Sequence, residues 1–242
     1  MYNKKVILGH CNPVLAGIID ILYQSHTNNI DQIQIDIVSN IKDEINGTDD
    51  VPYPYVIDEL LPNINEYFHD EYMFNINTHN TIFSFPFCNY ILGVNSPISK
   101  RKVYDFFETY YNINSNQYCN VIAKNVNLPI KIELGNGCMI NYGTTIGPYT
   151  KLSNFVTINR NTSIGHHNTI DEYVTISPGV NIAGHCKIGK NTLIGIGATI
   201  INNITIGENS IVGAGSVVTK NIPNNVVYYG VPAKFIKENI II

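Results

Sequence analysis

From Leu134 to Val218 an aliphatic residue occupies every sixth position without a miss: Leu134, Ile140, Ile146, Leu152, Ile158, Ile164, Ile170, Ile176, Ile182, Ile188, Ile194, Ile200, Ile206, Val212 and Val218. The same step backwards finds Leu128 and Ile122. Four residues after most anchors sits a small side chain, as at Cys138, Thr144, Val156, Val174, Cys186, Ala198 and Ser216. A period of six is neither helical nor the simple alternation of an amphipathic strand. It fits a short strand and a tight corner, with one apolar anchor turned inward on each flat face. Three such faces close a coil of about 18 residues, and stacked coils bury one continuous core. The chain should therefore carry between five and six such turns.

Composition adds bounds. Lys and Arg number 15 against 19 Asp and Glu, a net charge of −4 that gives no electrostatic grip on nucleic acid. No segment offers about 18 consecutive apolar residues for a membrane span. The apolar start, Met1 to Leu22, is interrupted by His10, Cys11, Asn12 and Pro13, so it reads as structure and the protein as cytoplasmic. The five cysteines include no CxxC pair, and Cys138 and Cys186 fall on the small inward position of the repeat, as reduced core residues.

Ahead of the repeat the pattern changes. Residues 4–9 read as a buried strand ending at Gly9, Pro13 opens a helical stripe to about residue 26, and residues 31–39 alternate as a second strand. Strand, helix, strand opens a parallel βαβ unit, whose ligand crevice lies at the carboxyl ends of its strands. Residues 43–70 read as a loop with a short helix. Apolar runs at 71–75, 81–85 and 89–94 read as further strands. After Gly93-Val94-Asn95, Ser96 can cap and Pro97 can open a helix to about Tyr111, with Lys100 and Arg101 one turn in. Helix starts at this edge suit a phosphorylated ligand. A structural cap at Ser96 explains the same residues equally well. The division expected is a Rossmann-like unit over 1–115, a coil over 116–225 and a tail over 226–242.

The repeat, together with Ile206-Gly-Glu-Asn-Ser-Ile-Val-Gly-Ala-Gly-Ser-Val-Val-Thr-Lys220 and Gly230-Val-Pro-Ala-Lys234, resembles the hexapeptide-repeat acyltransferases. The domain order, with Gly93-Val-Asn-Ser-Pro-Ile-Ser-Lys-Arg101 before the coil, is similar to the sugar acetyltransferases of the bacillosamine and perosamine pathways and to sialic-acid O-acetyltransferases. The resemblance implies a left-handed parallel β-helix, a homotrimer with active sites between subunits, and acetyl-CoA as co-substrate. It implies an acceptor that is a UDP- or dTDP-linked 4-amino-4,6-dideoxysugar held by the N-terminal unit. Sugar O-acetylation and a non-catalytic coil scaffold are the competing readings.

The family's catalytic signature falls on Ile164-Gly165-His166-His167-Asn168-Thr169-Ile170, then Ser177-Pro178-Gly179 and Ile182-Ala183-Gly184. By that resemblance His166 is the general base, and the Gly184 N–H faces the thioester oxygen. Spacing agrees, since residues 166 and 184 are one 18-residue coil apart and should stack on one corner. His167 stands where the family has an acidic partner for the base, and Thr175 where it has a second histidine. The N-terminal turn also departs, becoming Gly9-His10-Cys11-Asn12-Pro13. Gly9, His10, Cys11, Asn12, Asn40, Asn95 and Arg101 are the candidate acceptor contacts. Gly184, Gly195, Ile196, Ala198, Gly213, Ala214, Lys220 and Lys234 are those for the coenzyme. His185, beside Gly184, reads as solvent-facing. The histidines also raise a zinc site, but the adjacent side chains of His166 and His167 diverge on an extended chain, so no metal is expected.

Overall fold

The computed structural model describes residues 5–8, 17–18, 20–22, 34–39, 73–78 and 90–240. Four parallel strands, β1 (Lys5–Leu8), β2 (Gln34–Ser39), β3 (Met73–Thr78) and β4 (Tyr90–Leu92), lie in the order β3-β2-β1-β4. Strand order reverses between β1 and β4, so the switch-point crevice of this doubly wound arrangement opens beyond Leu8 and Leu92. The third strand lies a few residues later than the 71–75 run. The expected loop at 43–70 and strand at 81–85 fall outside the described residues. Helix α1 (Pro97–Tyr111) is capped by the Ser96 hydroxyl, which accepts from the Ser99 N–H, and ends at Asn112 in a left-handed conformation. Its buried residues Pro97, Lys100, Val103, Tyr104 and Phe107 form one stripe at helical spacing.

The coil runs from β5 (Val121–Ile122) to β20 (Val217–Val218), and its strands are two or three residues long. Each pairs in parallel with the strand one turn away, 18 residues on, as in Ile164↔Ile182 and Ile176↔Ile194. Face 1 stacks β5, β7, β10, β13, β16 and β19; face 2 stacks β8, β11, β14, β17 and β20; face 3 stacks β6, β9, β12, β15 and β18. The aliphatic anchors and the small residues four positions on fill the prism, and Ile140, Ile158, Ile176, Val180, Cys186 and Ala198 are fully buried. Hydroxyls on the small positions satisfy corner carbonyls, as Thr192 Oγ1 does for Gly207 O at 2.8 Å. An antiparallel hairpin, β21 (Val226–Tyr229) and β22 (Lys234–Glu238), closes the end of face 1.

Corners have a fixed conformation. Three residues after each anchor the backbone turns left-handed, with φ between 54° and 70° from Gly137 to Gly215. One residue of each 18 falls on each edge of the prism, so these positions form three columns. Gly143, Asn161, Gly179, Gly197 and Gly215 follow face 1; Tyr149, His167, His185 and Asn203 follow face 2; Gly137, Phe155, Tyr173, Asn191 and Asn209 follow face 3.

The aromatic column after face 3 receives the N-terminal unit. Phe155 and Tyr173 stack at 5.2 Å, and Tyr104 of α1 lies 4.8 Å from Phe155. Beside them Lys100, only 2% exposed, sends its Nζ to Phe155 O (2.8 Å), Val174 O (3.0 Å) and Thr157 Oγ1 (3.1 Å). This lysine is a peg between the two units and not a phosphate ligand. Burial pulls its amine from 10.5 down to about 7. Between those values the unfolded chain binds more protons than the folded one, so this group makes stability rise with pH from about 7 to 10.5, by up to about 1.4 kcal/mol per pH unit. The melting temperature of the wild type, relative to a Lys100→Met variant, is therefore expected to climb between pH 7 and pH 9. A constant difference would show that the amine stays charged in its pocket.

Candidate active site

The edge after face 2 gathers His166, His167 and His185. His167 and His185 occupy the left-handed column, with φ of 55° and 60°, so their rings project from the same edge on successive turns. The two stack with centroids 4.9 Å apart, and Tyr149 continues the stack at 4.8 Å from His167. His166 stands across them, nearly perpendicular to both, with centroids 5.1 Å from each. Its Nδ1 lies 2.9 Å from His167 Nδ1. All three rings are exposed.

The side chains of His166 and His167 thus do not diverge as an extended chain would require. The left-handed turn at His167 swings its ring back toward its neighbour. His185, expected merely to face solvent, joins the same cluster.

Gly184 lies one turn below His166. A Cβ built on it would sit 2.8 Å from His166 Cε1 and 3.0 Å from Nε2. The imidazole therefore occupies the space a side chain at residue 184 would need. Ladder bonds use alternate amides here: Gly165 N–H donates to Ile182 O, His167 to Pro148 O, Ala183 to Ile200 O and His185 to His166 O. Among the described residues the Gly184 N–H makes no ladder bond, and its position beside the ring leaves it available to an oxygen.

Asn168 fixes the corner from inside. It fills the small inward position after Ile164 and is buried. Its Nδ2 donates to Gly165 O (2.8 Å) and its Oδ1 accepts from Cys186 N–H (2.7 Å), tying together the turns that carry His166 and Gly184. Sequence reading passes over it because an amide interrupts the run of small residues. That interruption is itself the signal.

The remaining candidates fall elsewhere. Gly195, Ile196, Ala198, Gly213 and Ala214 lie on the edge after face 1. Ile196 is exposed and Gly195 packs against the Val212–Ala214 backbone, but Ala198 is wholly buried in the core and its side chain cannot line a groove. A shallow groove of about 360 Å³ on face 2, lined by Asn181, Ala183, Thr199, Ile201 and Asn202, runs between this edge and the histidine edge. Lys220 follows Val218 by two, as His166 follows Ile164, and so lies on the His166 column three turns on, roughly 14 Å away at the ~4.8 Å strand spacing. Lys234 is exposed on β22.

Asn95 follows β4 at the switch point. Its backbone oxygen accepts from Thr175 Oγ1 (2.6 Å), while its side-chain Oδ1 is buried without a hydrogen-bond partner among the described residues. Thr175, which stands where the family has a histidine, is thus a buried contact between the two units. Arg101 points to solvent and pairs with Asp105 at 3.5 Å. Gly9, His10, Cys11, Asn12 and Asn40 lie outside the described residues.

Residues 185–220 match the bacterial transferase hexapeptide family (six repeats). The coil that carries the histidines is a hexapeptide coil of the left-handed β-helix class. Over nearly all its length the chain is similar in structure to a histidine-to-asparagine variant of perosamine N-acetyltransferase from Caulobacter crescentus, in complex with CoA and GDP-perosamine. That match has 21% identity and a TM-score of 0.70, over 97% of each chain. It is also similar to the acetyltransferase domain of PglB from Neisseria gonorrhoeae FA1090, in complex with acetyl coenzyme A, at 18% identity and TM-score 0.68, over 98% of this chain and 100% of that one. WeeI from Acinetobacter baumannii AYE matches at 21% identity and TM-score 0.72, over 96% and 100%. At these identities the likeness establishes the shared fold. No curated protein matches the chain in sequence. Among the described residues no helix is long and apolar enough to cross a membrane.

Proposed function

We propose that the protein is an acetyl-CoA-dependent N-acetyltransferase acting on the 4-amino group of a nucleotide-linked 4-amino-4,6-dideoxysugar. The observation that carries this reading is the His166 ring seated against Gly184 on a hexapeptide coil, with its Nδ1 held by His167. The ligands of similarly folded proteins, CoA with GDP-perosamine in one and acetyl coenzyme A in another, support the choice of donor and acceptor.

In this mechanism His166 keeps its proton on Nδ1, donating it to His167 Nδ1, so that Nε2 carries the free electron pair. The sugar amine attacks the thioester carbonyl and Nε2 takes its proton. The Gly184 N–H stabilises the tetrahedral oxyanion. The C–S bond then breaks, the carbonyl re-forms, and the CoA thiolate takes the proton from the imidazolium. His167 is a positioning residue: as a neutral acceptor it fixes the tautomer that a carboxylate would otherwise fix.

Gly195, Ile196, Gly213 and Ala214 lie on the edge after face 1, the histidines on the edge after face 2, and Asn95 on the N-terminal unit, against Thr175 of face 1. A homotrimer, with each site shared between neighbouring chains, is the assembly that can unite them around one acceptor.

Release of free CoA thiol is the test, with acetyl-CoA and a panel of UDP-, dTDP- and GDP-linked 4-aminosugars alongside their 4-hydroxy counterparts. Turnover confined to the aminosugars is expected. Turnover on hydroxysugars alone would make the protein an O-acetyltransferase, and no thiol with any acceptor would leave it a scaffold.

A further inference from the structure

Three imidazoles converge on one exposed edge, and their nearest ring nitrogens all lie within 4.8 Å of one another. We infer that His166, His167 and His185 form a binding site for a divalent transition-metal ion of the zinc class, and that occupation of this site blocks the enzyme. The inhibition half of this inference rests on the reading of His166 as base; the binding half does not.

The geometry is close to what such an ion requires. Nitrogen ligands about 2.0–2.1 Å from tetrahedral zinc are about 3.3 Å from one another. The His166 and His167 Nδ1 atoms are 2.9 Å apart, and all three rings are exposed, so each is free to turn about χ1 and χ2 toward a shared ion. The backbone does not have to move. His167 and His185 sit on corners fixed by the parallel ladder, and Tyr149 caps one end of their stack. Among the described residues no carboxylate makes a hydrogen bond to any of the three rings. The donor set is therefore all imidazole, which selects zinc, nickel and copper over magnesium and calcium, whose ligands are oxygens. Three protein nitrogens leave a fourth position for water.

An ion bound at His166 Nδ1 displaces the proton held there and fixes the tautomer protonated on Nε2, the nitrogen that must be free in the reaction. The ring then cannot accept the amine proton. No redox step or bond cleavage is involved; the effect is occupancy of the base.

The experiment is calorimetric titration of zinc into the full-length, tag-free, chelator-treated protein, with magnesium as control and CoA-release assays in parallel. The variants are His185→Asn and His167→Asn, because asparagine tolerates the left-handed backbone at both positions. One zinc per chain is expected, weakened at least tenfold in each variant, with no heat from magnesium. Zinc should abolish wild-type turnover, whereas His185→Asn should retain turnover and resist zinc. Absence of saturable binding, or equal affinity in all three proteins, would overturn the site. Stoichiometric binding that leaves wild-type turnover intact would uphold the metal site and remove His166 from the role of base. Loss of turnover in His166→Ala without zinc uptake by the wild type would do the reverse.

Discussion

Replacement of His166 by alanine is expected to lower turnover by about 10²–10⁴-fold, the range that a positioned general base contributes. The melting temperature should stay within about a degree or two of wild type, because exposed residues away from structural features seldom change stability by more than about 0.5 kcal/mol. The reason lies in where the side chain is. Its ring touches His167, His185 and the bare face of Gly184, and none of the anchors that fill the prism. Chemistry and fold are therefore separable at this residue. Measurement of kcat by thiol release, together with thermal unfolding of the same preparation, decides the matter. Near-normal turnover from a folded variant would remove His166 from the mechanism.

Gly184→Ala is expected to cost about 10²-fold, the scale of a 1 Å misplacement of a catalytic group. Gly184 has no left-handed backbone, so alanine is not strained there by φ. The Ala N–H also remains to meet an oxyanion. What the methyl group changes is the ring: it would lie 2.8 Å from Cε1 and 3.2 Å from Nδ1, so the imidazole must shift away from residue 184. A double-mutant cycle isolates this route. In a His166→Ala background, Gly184→Ala should cost little more, since the ring it displaces is gone. An undiminished penalty in that background would mean that the added methyl group obstructs the substrate and does not act through the imidazole.

The prism was legible because its signal is redundant. Each anchor from Leu134 to Val218 repeats one constraint, and inward residues report on one another at fixed spacing. The pairing of His166 with Gly184 followed from the same register. The corner conformation was not legible. Gly and Asn announce a left-handed turn, but the same position is filled by Tyr149, Phe155, His167, Tyr173 and His185, whose types say nothing of φ. Reading 166 and 167 as extended chain separated two rings that the turn brings together. The role of Lys100 was not legible for another reason. A lysine one turn into a capped helix is compatible with an anion ligand, and only tertiary packing shows its amine enclosed by Phe155, Thr157 and Val174. Ala198 shows the limit of column arithmetic: it belongs to the inward set, which spacing alone had already placed it in.

The three left-handed columns give this protein a surface addressed by phase. A residue's edge depends only on its number modulo 18, and its height on how many turns precede it. The aromatic edge docks a neighbouring unit, the imidazole edge holds the proposed base, and the glycine and asparagine edge stays bare. Each can vary without disturbing the others, provided the count is kept. Insertion or loss of a whole turn beyond Asn203 lengthens or shortens the molecule and spares the histidine edge. A slip of one residue between His166 and Gly184 leaves both amino acids in the chain and puts them out of reach of each other.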